Sequence, residues 1–187
     1  NMLKHFEGLY DYMNSTSTLS PLGRTSGSDA SFYGSGWLLV RWAIDHYANA
    51  ESTFLRALTR EPNLSGVQNL AARTGKSFAE LLGPWSLSLY WDRPTAPGLS
   101  HPSWDVYDIF AGLHEDFPES FPDSYPLYGW EASFGAFLGD VGRLNGGTAA
   151  LFLIEGTQTG TQLLELQGYG GGALPPSLRM AIMRVKE

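Results

Sequence analysis

The feature that most constrains the fold is a change of hydrophobic periodicity at residues 92–98, a segment with two prolines and a glycine. Before it, apolar residues recur every three or four positions, as in amphipathic helices, and well beyond it they form short runs typical of strands. We therefore predict an α+β chain: a helical, bundle-like subdomain in residues 1–92, a linker with a short helix and a proline-rich loop in residues 93–131, and a β-rich subdomain in residues 132–187.

The helical part carries recognisable start and stop signals. Ser77 and Glu80 match a capping box, and the amphipathic helix that they open contains Gly83-Pro84, which predicts a kink. Gly34 and Gly36 would let another backbone approach a long helix closely. Helices are predicted near residues 3–13, 32–47, 51–60, 66–74 and 78–89, the fourth capped by Ser65 and ended by Gly75. The first has no capping residue, which predicts further polypeptide upstream.

The segments beyond the linker favour β structure. After a short helix over Val106–His114 and a loop spaced by prolines, four runs are rich in apolar and branched residues, and Asn145-Gly146-Gly147 marks a turn between two of them. These runs predict a small antiparallel sheet or sandwich. They are Ala132–Leu138, Thr148–Ile154, Thr161–Gln167 and Leu178–Val185.

Charge and composition exclude several function classes. The formal net charge is −7 and the isoelectric point is about 5.0, so the field of the chain repels phosphate backbones and nucleic acid is an unexpected partner. Cysteine is absent, which removes disulfides and thiolate chemistry. No apolar run approaches the roughly 20 residues that a membrane span requires.

Three short motifs resemble nucleotide-binding or DNA-binding signatures but are better explained by local structure. Thr74-Gly75-Lys76-Ser77 lacks the preceding glycine of a P-loop, since Leu70 stands there. Residues 168–173 match a loose dinucleotide fingerprint, but Leu174-Pro175-Pro176 follows instead of a helix. Residues 69–77 are similar to a helix-turn-helix, yet the next helix offers apolar and acidic side chains rather than basic ones.

The histidines lack the spacing of a metal site. His114-Glu115 begins like the zinc signature H-E-x-x-H, but Pro118 stands where the second histidine is needed. His5 and His46 have acidic neighbours without ligand spacing, so surface or capping roles are favoured. The carboxylates Glu115 and Asp116 fit a solvated loop better than paired acid-base catalysis. We predict no catalytic, cofactor-binding or metal residue in this chain.

Aromatic side chains are concentrated around and beyond the linker. We expect them to seal the joint between the helical and β layers, with a platform for sugar rings or peptide as the alternative. They are Tyr90, Trp91, Trp104, Tyr107, Phe110, Phe117, Phe121, Tyr125, Tyr128 and Trp130.

Packing motifs in the helical part carry a family resemblance. Residues 32–47 contain G-x-x-W followed by an arginine at Arg41, residues 66–70 read G-V-Q-N-L, and the next helix ends with Trp85 and Tyr90. This order resembles the helical region that follows the zinc site in gluzincin-type bacterial secreted metallopeptidases, particularly the hyicolysin-like group. Residues 146–149 and 178–185 are similar to their C-terminal β region. The family's H-E-x-x-H and third-ligand glutamate match no position here and would lie upstream.

The resemblance implies that residues 1–92 are the downstream part of a metallopeptidase-like catalytic domain. The expected function is therefore that of an inert C-terminal portion of a secreted or periplasmic protein, with zinc held by the parent and the upstream catalytic segment as the partner. Whether the parent is an active enzyme is left open, and the chain alone is predicted to be inactive. The alternative is a free-standing extracellular module that binds glycan or peptide; a DNA-binding protein is third.

Overall fold

The computed structural model describes residues 2–23, 29–60, 63–91, 98–133, 143–155 and 163–184. These ranges contain six α-helices, two short strands and one 3-10 turn. In chain order they are α1 (Met2–Met13), α2 (Asp29–Tyr47), α3 (Glu51–Arg60), α4 (Gly66–Thr74), α5 (Phe78–Tyr90), α6 (Val106–Asp116), β1 (Trp130–Ser133), β2 (Phe152–Glu155) and the turn Tyr169–Gly171.

Local signals in the sequence place the helices. The α5 capping box is present, with the Ser77 hydroxyl accepting from the Glu80 amide and the Glu80 carboxylate accepting from the Ser77 amide. Gly75 ends α4 in the left-handed conformation, as predicted. Ser65 is the N-cap residue of α4, as predicted, and its backbone is extended as in a cap, but its hydroxyl makes no capping bond. Pro84 lies inside α5, which continues to Tyr90.

Two glycines allow α1 and α2 to cross with their backbones in contact. A methyl group on Gly34 would lie 2.3 Å from the Leu9 nitrogen, and one on Gly8 would lie 1.8 Å from the Ala30 carbonyl oxygen. The close approach predicted at Gly34 is therefore confirmed. At Gly36 the nearest atom to such a methyl, the Pro21 oxygen, is 3.4 Å away, which is ordinary contact.

One hydrophobic core joins the helices to the loop that follows α6. Trp85 of α5 stacks on Tyr12 of α1 with ring centroids 5.5 Å apart, and both side chains are fully buried. Phe110 of α6 and Phe121 of the following loop are buried in the same core. The central apolar side chains are Leu9, Tyr12, Met13, Leu38, Leu39, Trp42, Leu81, Trp85, Leu89, Phe110 and Phe121.

The predicted α+β fold, with an antiparallel sheet or sandwich in residues 132–187, is wrong, because the described residues are mostly helical. In the described ranges the only sheet has two strands, β1 and β2, which run parallel with Trp130 opposite Phe152. The turn at Asn145 does not reverse a hairpin. It docks on the loop after α1 instead, since the Asn145 side chain donates to the Thr18 carbonyl at 2.9 Å and the Ala149 amide donates to the Thr16 carbonyl at 3.0 Å.

The individual strand predictions fail in different ways. β1 begins two residues before the predicted Ala132, and positions 134–138 of that prediction lie outside the described residues. β2 covers only the end of the predicted Thr148–Ile154 strand. Residues 163–167 and 178–184 form no strand, and several of their apolar side chains are exposed, with Leu163 at 86% and Ile182 at 73%. Alternation alone does not make a strand, because a ladder also needs a neighbouring strand to complete its hydrogen bonds.

The boundaries of the remaining predictions fall as follows. Positions 93–97 of the predicted linker, Asp92 at the end of the predicted helical subdomain, and residues 161–162 and 185 of the predicted strands lie outside the described residues. α6 exceeds its predicted range by two residues, ending at Asp116 instead of His114. None of the helices within the described ranges has the length and apolarity to span a membrane.

Candidate functional site

A polar cluster fixes the loop before α6 to helices α2 and α5. Its centre is His101, whose Nε2 lies 2.9 Å from the Ser88 hydroxyl on α5. Both residues are buried, Ser88 at 0% exposure and His101 at 3%. The Ser88 hydroxyl also lies 2.6 Å from the Trp85 carbonyl, which can only accept a hydrogen bond. Ser88 therefore donates to Trp85, and the His101 Nε2–H donates to Ser88.

The side of the cluster toward α2 is ionic. Arg41 pairs with Asp45 at 3.2 Å and with Glu51 at 2.6 Å. Asp45 also accepts hydrogen bonds from the hydroxyl and the amide of Ser103. One helical residue further along, His46 donates from Nε2 to the Ser100 carbonyl at 2.8 Å. The cluster thus ties the loop to α2 through Asp45 and His46 and to α5 through Ser88.

The protonation of His101 is governed by its burial. Loss of solvent lowers the pKa of its imidazole from 6.5 to about 4, with a smaller opposing effect of the Asp45 carboxylate, which raises the pKa, and a further lowering by His46. His101 is therefore neutral at physiological pH. A neutral imidazole is required for the arrangement in which Nε2 carries the proton shared with Ser88 and Nδ1 carries the lone pair.

A serine and a histidine at hydrogen-bonding distance are the components of an activated nucleophile. Here the Ser88 side chain is completely shielded from solvent and lies inside a regular helix, with its proton directed at the Trp85 carbonyl. A nucleophile must meet a substrate carbonyl at about 3 Å. The pair consequently serves to hold the loop rather than to attack a substrate.

The histidines considered from sequence serve similar structural purposes. His114 does not face a second ligand; its Nδ1 donates to the Phe121 carbonyl at 2.8 Å and fixes the loop after α6. His46 is part of the cluster instead of a surface residue. Within the described ranges, no three His, Asp or Glu side chains come together in a way that could hold a metal ion. His101 itself was missed, because a histidine between serine and proline gives no sequence signal of burial.

Two of the three short motifs, the P-loop-like and the dinucleotide-like segments, are local structure, as predicted. Residues 74–77 are the C-cap of α4 and the N-cap of α5. Residues 168–172 form a glycine turn in which the Gly168 amide donates to the Gly172 carbonyl, with Gly170 and Gly171 in the left-handed region. The part of the chain described after this turn, up to residue 184, contains no helix. A dinucleotide fingerprint needs a helix N-terminus at that point.

Most of the aromatic cluster packs among the helices and the loop after α6, so the predicted seal between a helical and a β layer is wrong. Tyr107 of α6 stacks on Tyr125 with centroids 3.9 Å apart, and their hydroxyls donate to the carbonyls of Tyr90 and Leu89. These bonds tie α6 and its following loop to the C-terminal end of α5. Trp104 meets Trp37 of α2 edge to face at 5.1 Å.

A smaller aromatic strip remains open to solvent on the parallel sheet. Trp130 of β1 stacks on Phe152 of β2 at 5.5 Å, and Tyr128 meets Trp130 edge to face at 5.2 Å. Tyr128 is 52% exposed, and the other two rings are half-buried. Such a strip could stack against a sugar ring or an extended peptide.

The chain matches no known protein-family profile, no curated protein and no solved structure.

Proposed function

We propose that this chain is the catalytically inert C-terminal portion of a secreted or periplasmic zinc-metallopeptidase-like protein. Its helices would support an active-site segment that lies elsewhere in the parent polypeptide. In this reading the chain contributes rigidity and the parent contributes zinc and chemistry.

The observation that carries the proposal is that the histidines and the serine best suited to chemistry form contacts within the chain. His46 and His114 donate to loop carbonyls, and His101 and Ser88 bond to each other out of contact with solvent. Each of these contacts fixes one element to another. A piece whose histidines are committed to its own loops suits a supporting role.

The positions of the resemblance motifs give further support. Gly34 lies at the backbone contact between α1 and α2, Trp37 packs against Trp104, and Trp85 is fully buried on Tyr12. These residues act through packing, which is the role that the resemblance implies for them. A helix pair in backbone contact makes a stiff base for further helices.

The test is metal analysis and peptidase assay of the purified chain, together with recovery of the upstream coding sequence. We expect substoichiometric zinc, no peptide cleavage, and an H-E-x-x-H with a later glutamate encoded upstream. One tightly held zinc per chain, or hydrolysis by the chain that a chelator abolishes, would overturn the proposal.

The aromatic strip Tyr128–Trp130–Phe152 favours a second candidate, a free-standing module that binds glycan or peptide. An upstream sequence that encodes only a signal peptide would support it. In that case soluble oligosaccharides or peptides should change the tryptophan fluorescence of the chain, and Trp130→Ala should abolish the change. Phe117→Ala is the control, since Phe117 is another aromatic residue open to solvent, at 47% exposure, but lies at the end of α6, outside the strip.

A further inference from the structure

The loop over residues 98–105 is held to the helices by polar contacts and by the packing of Trp104 against Trp37 of α2. His46 donates to the Ser100 carbonyl, His101 bonds to Ser88, and Asp45 accepts from the Ser103 amide at 3.2 Å. Within the loop, the Trp104 amide donates to the His101 carbonyl at 2.9 Å. The stability of the closed loop therefore depends on the protonation states of these partners.

The two histidines have different roles in the loop. His46 uses an N–H to bond the Ser100 carbonyl and serves as a fixed contact of the loop. His101 lies at 3% exposure, so its charged form is disfavoured by burial in the closed loop. Protonation of His101 therefore favours a loop that has opened to solvent.

We propose that the loop over residues 98–105 is an acid-released latch, in which protonation of buried His101 opens the loop from α2 and α5. The opening would be local, because the loop's other contacts are hydrogen bonds that water can replace and the ring contacts of Trp104 at the end of the loop. It would expose the Ser88 face of α5 and part Trp104 from Trp37.

The charged groups around His101 do not offset the cost of protonating it in the closed loop. The groups that act on it, Asp45 and His46, both come from α2 and oppose each other. Asp45 is already shared with Arg41, which also binds Glu51, and with Ser103. From α5 the partner is the uncharged Ser88 hydroxyl. Burial consequently decides the outcome, and acid favours the open loop.

The size of the effect follows from linkage. The pKa of His101 is 6.5 when the ring is solvated and about 4 in the closed loop, so closure is independent of pH above about 6.5 and is progressively lost below it. Well below pH 4, this pKa difference lowers the equilibrium constant for closing the loop by about 300-fold. At pH 4.5 it lowers that constant by about 80-fold.

Hydrogen exchange of the intact chain tests the latch. The reporters are the hydrogen-bonded amides of Ser103 and Trp104, measured at pH 7.0 and 4.5 and corrected for the intrinsic pH dependence of exchange. We expect their protection to fall by about 80-fold at the lower pH. His101→Gln keeps an amide N–H near the Nε2 position but cannot titrate, so its protection should not depend on pH. His114→Asn preserves the Nδ1–H contact of another loop histidine and should behave like the unaltered chain.

Several results would overturn the proposal. They are equal protection of Ser103 and Trp104 at both pH values, the same acid loss in His101→Gln, and a parallel loss in the α1 and α2 amides, which would mean global unfolding. If His101→Gln does not fold, an NMR titration of the unaltered chain decides. A His101 ring that titrates near 6.5 in the folded state contradicts the latch, and one that titrates near 4 supports it.

Discussion

Gly34→Ala should destabilise the chain, although alanine is the better helix former. The added methyl would lie 2.3 Å from the Leu9 nitrogen and 2.4 Å from the His5 oxygen, whereas ordinary contact begins at 3.4 Å. Both obstacles are backbone atoms of α1, so no change of side-chain rotamer can relieve them. The two helices must instead separate by about 1 Å at their crossing, which disturbs the close packing of the core around it.

The magnitude can be estimated from two opposing effects. Overpacking in a core costs about 1–3 kcal/mol and occasionally more, and a backbone obstacle belongs at or above the upper end. Replacing glycine by alanine in a helix stabilises the helix by about 1 kcal/mol, which opposes this loss. We expect Gly34→Ala to lower the free energy of unfolding by about 2–3 kcal/mol.

Gly112 provides the matched control. It also lies within a helix, α6, but it is exposed, and a methyl group there meets no atom within 4 Å. Gly112→Ala should therefore raise the free energy of unfolding by about 0.5–1 kcal/mol. Urea denaturation followed by circular dichroism measures both variants against the unaltered chain, with unchanged m-values as the check on two-state behaviour. A Gly34→Ala variant as stable as Gly112→Ala would refute the backbone contact between α1 and α2.

Two further contacts can be tested by substitution. Ser77→Ala removes the α5 capping box and should cost about 1 kcal/mol in urea denaturation, whereas Ser65→Ala, whose hydroxyl makes no capping bond, should cost little; equal losses would contradict the assigned caps. The pKa of Tyr10 is raised by burial and by its hydrogen bond to the Asp123 carboxylate at 2.6 Å. Asp123→Asn should lower that pKa in an ultraviolet titration of tyrosine, and an unchanged titration would mean that burial alone sets it.

Much of the helical half could be predicted from sequence, because its signals are local. The capping residues of α5, the bounds of α3 and the terminating Gly75 each depend on a few neighbouring residues. Even the close approach at Gly34 could be anticipated, since a glycine in an apolar helix has few other uses. The partner helix could not, because nothing at Gly34 indicates that Gly8 lies opposite.

The structure beyond α6 could not be predicted, because strand pairing depends on distant residues. The run at 148–154 looked like one strand of a hairpin, yet Asn145 and Ala149 bond to the loop after α1, and only residues from Phe152 onward pair with β1. The apolar residues at 178–184 fit one face of a strand, but they do not indicate which other strand would pair with it. His101 illustrates the same limit for the candidate site, since its burial results from helices that lie far away in the chain.

The bond from Asn145 to Thr18 has a consequence for the order of folding. It joins positions 127 residues apart. At ribosomal rates of about 5–20 residues per second, the loop after α1 would wait roughly 6–25 s for the residue that covers it. During that interval the carbonyls of Thr16 and Thr18 lack the bonds that Ala149 and Asn145 later donate. The six helices of the described residues all precede Asn145 in the chain and can assemble meanwhile.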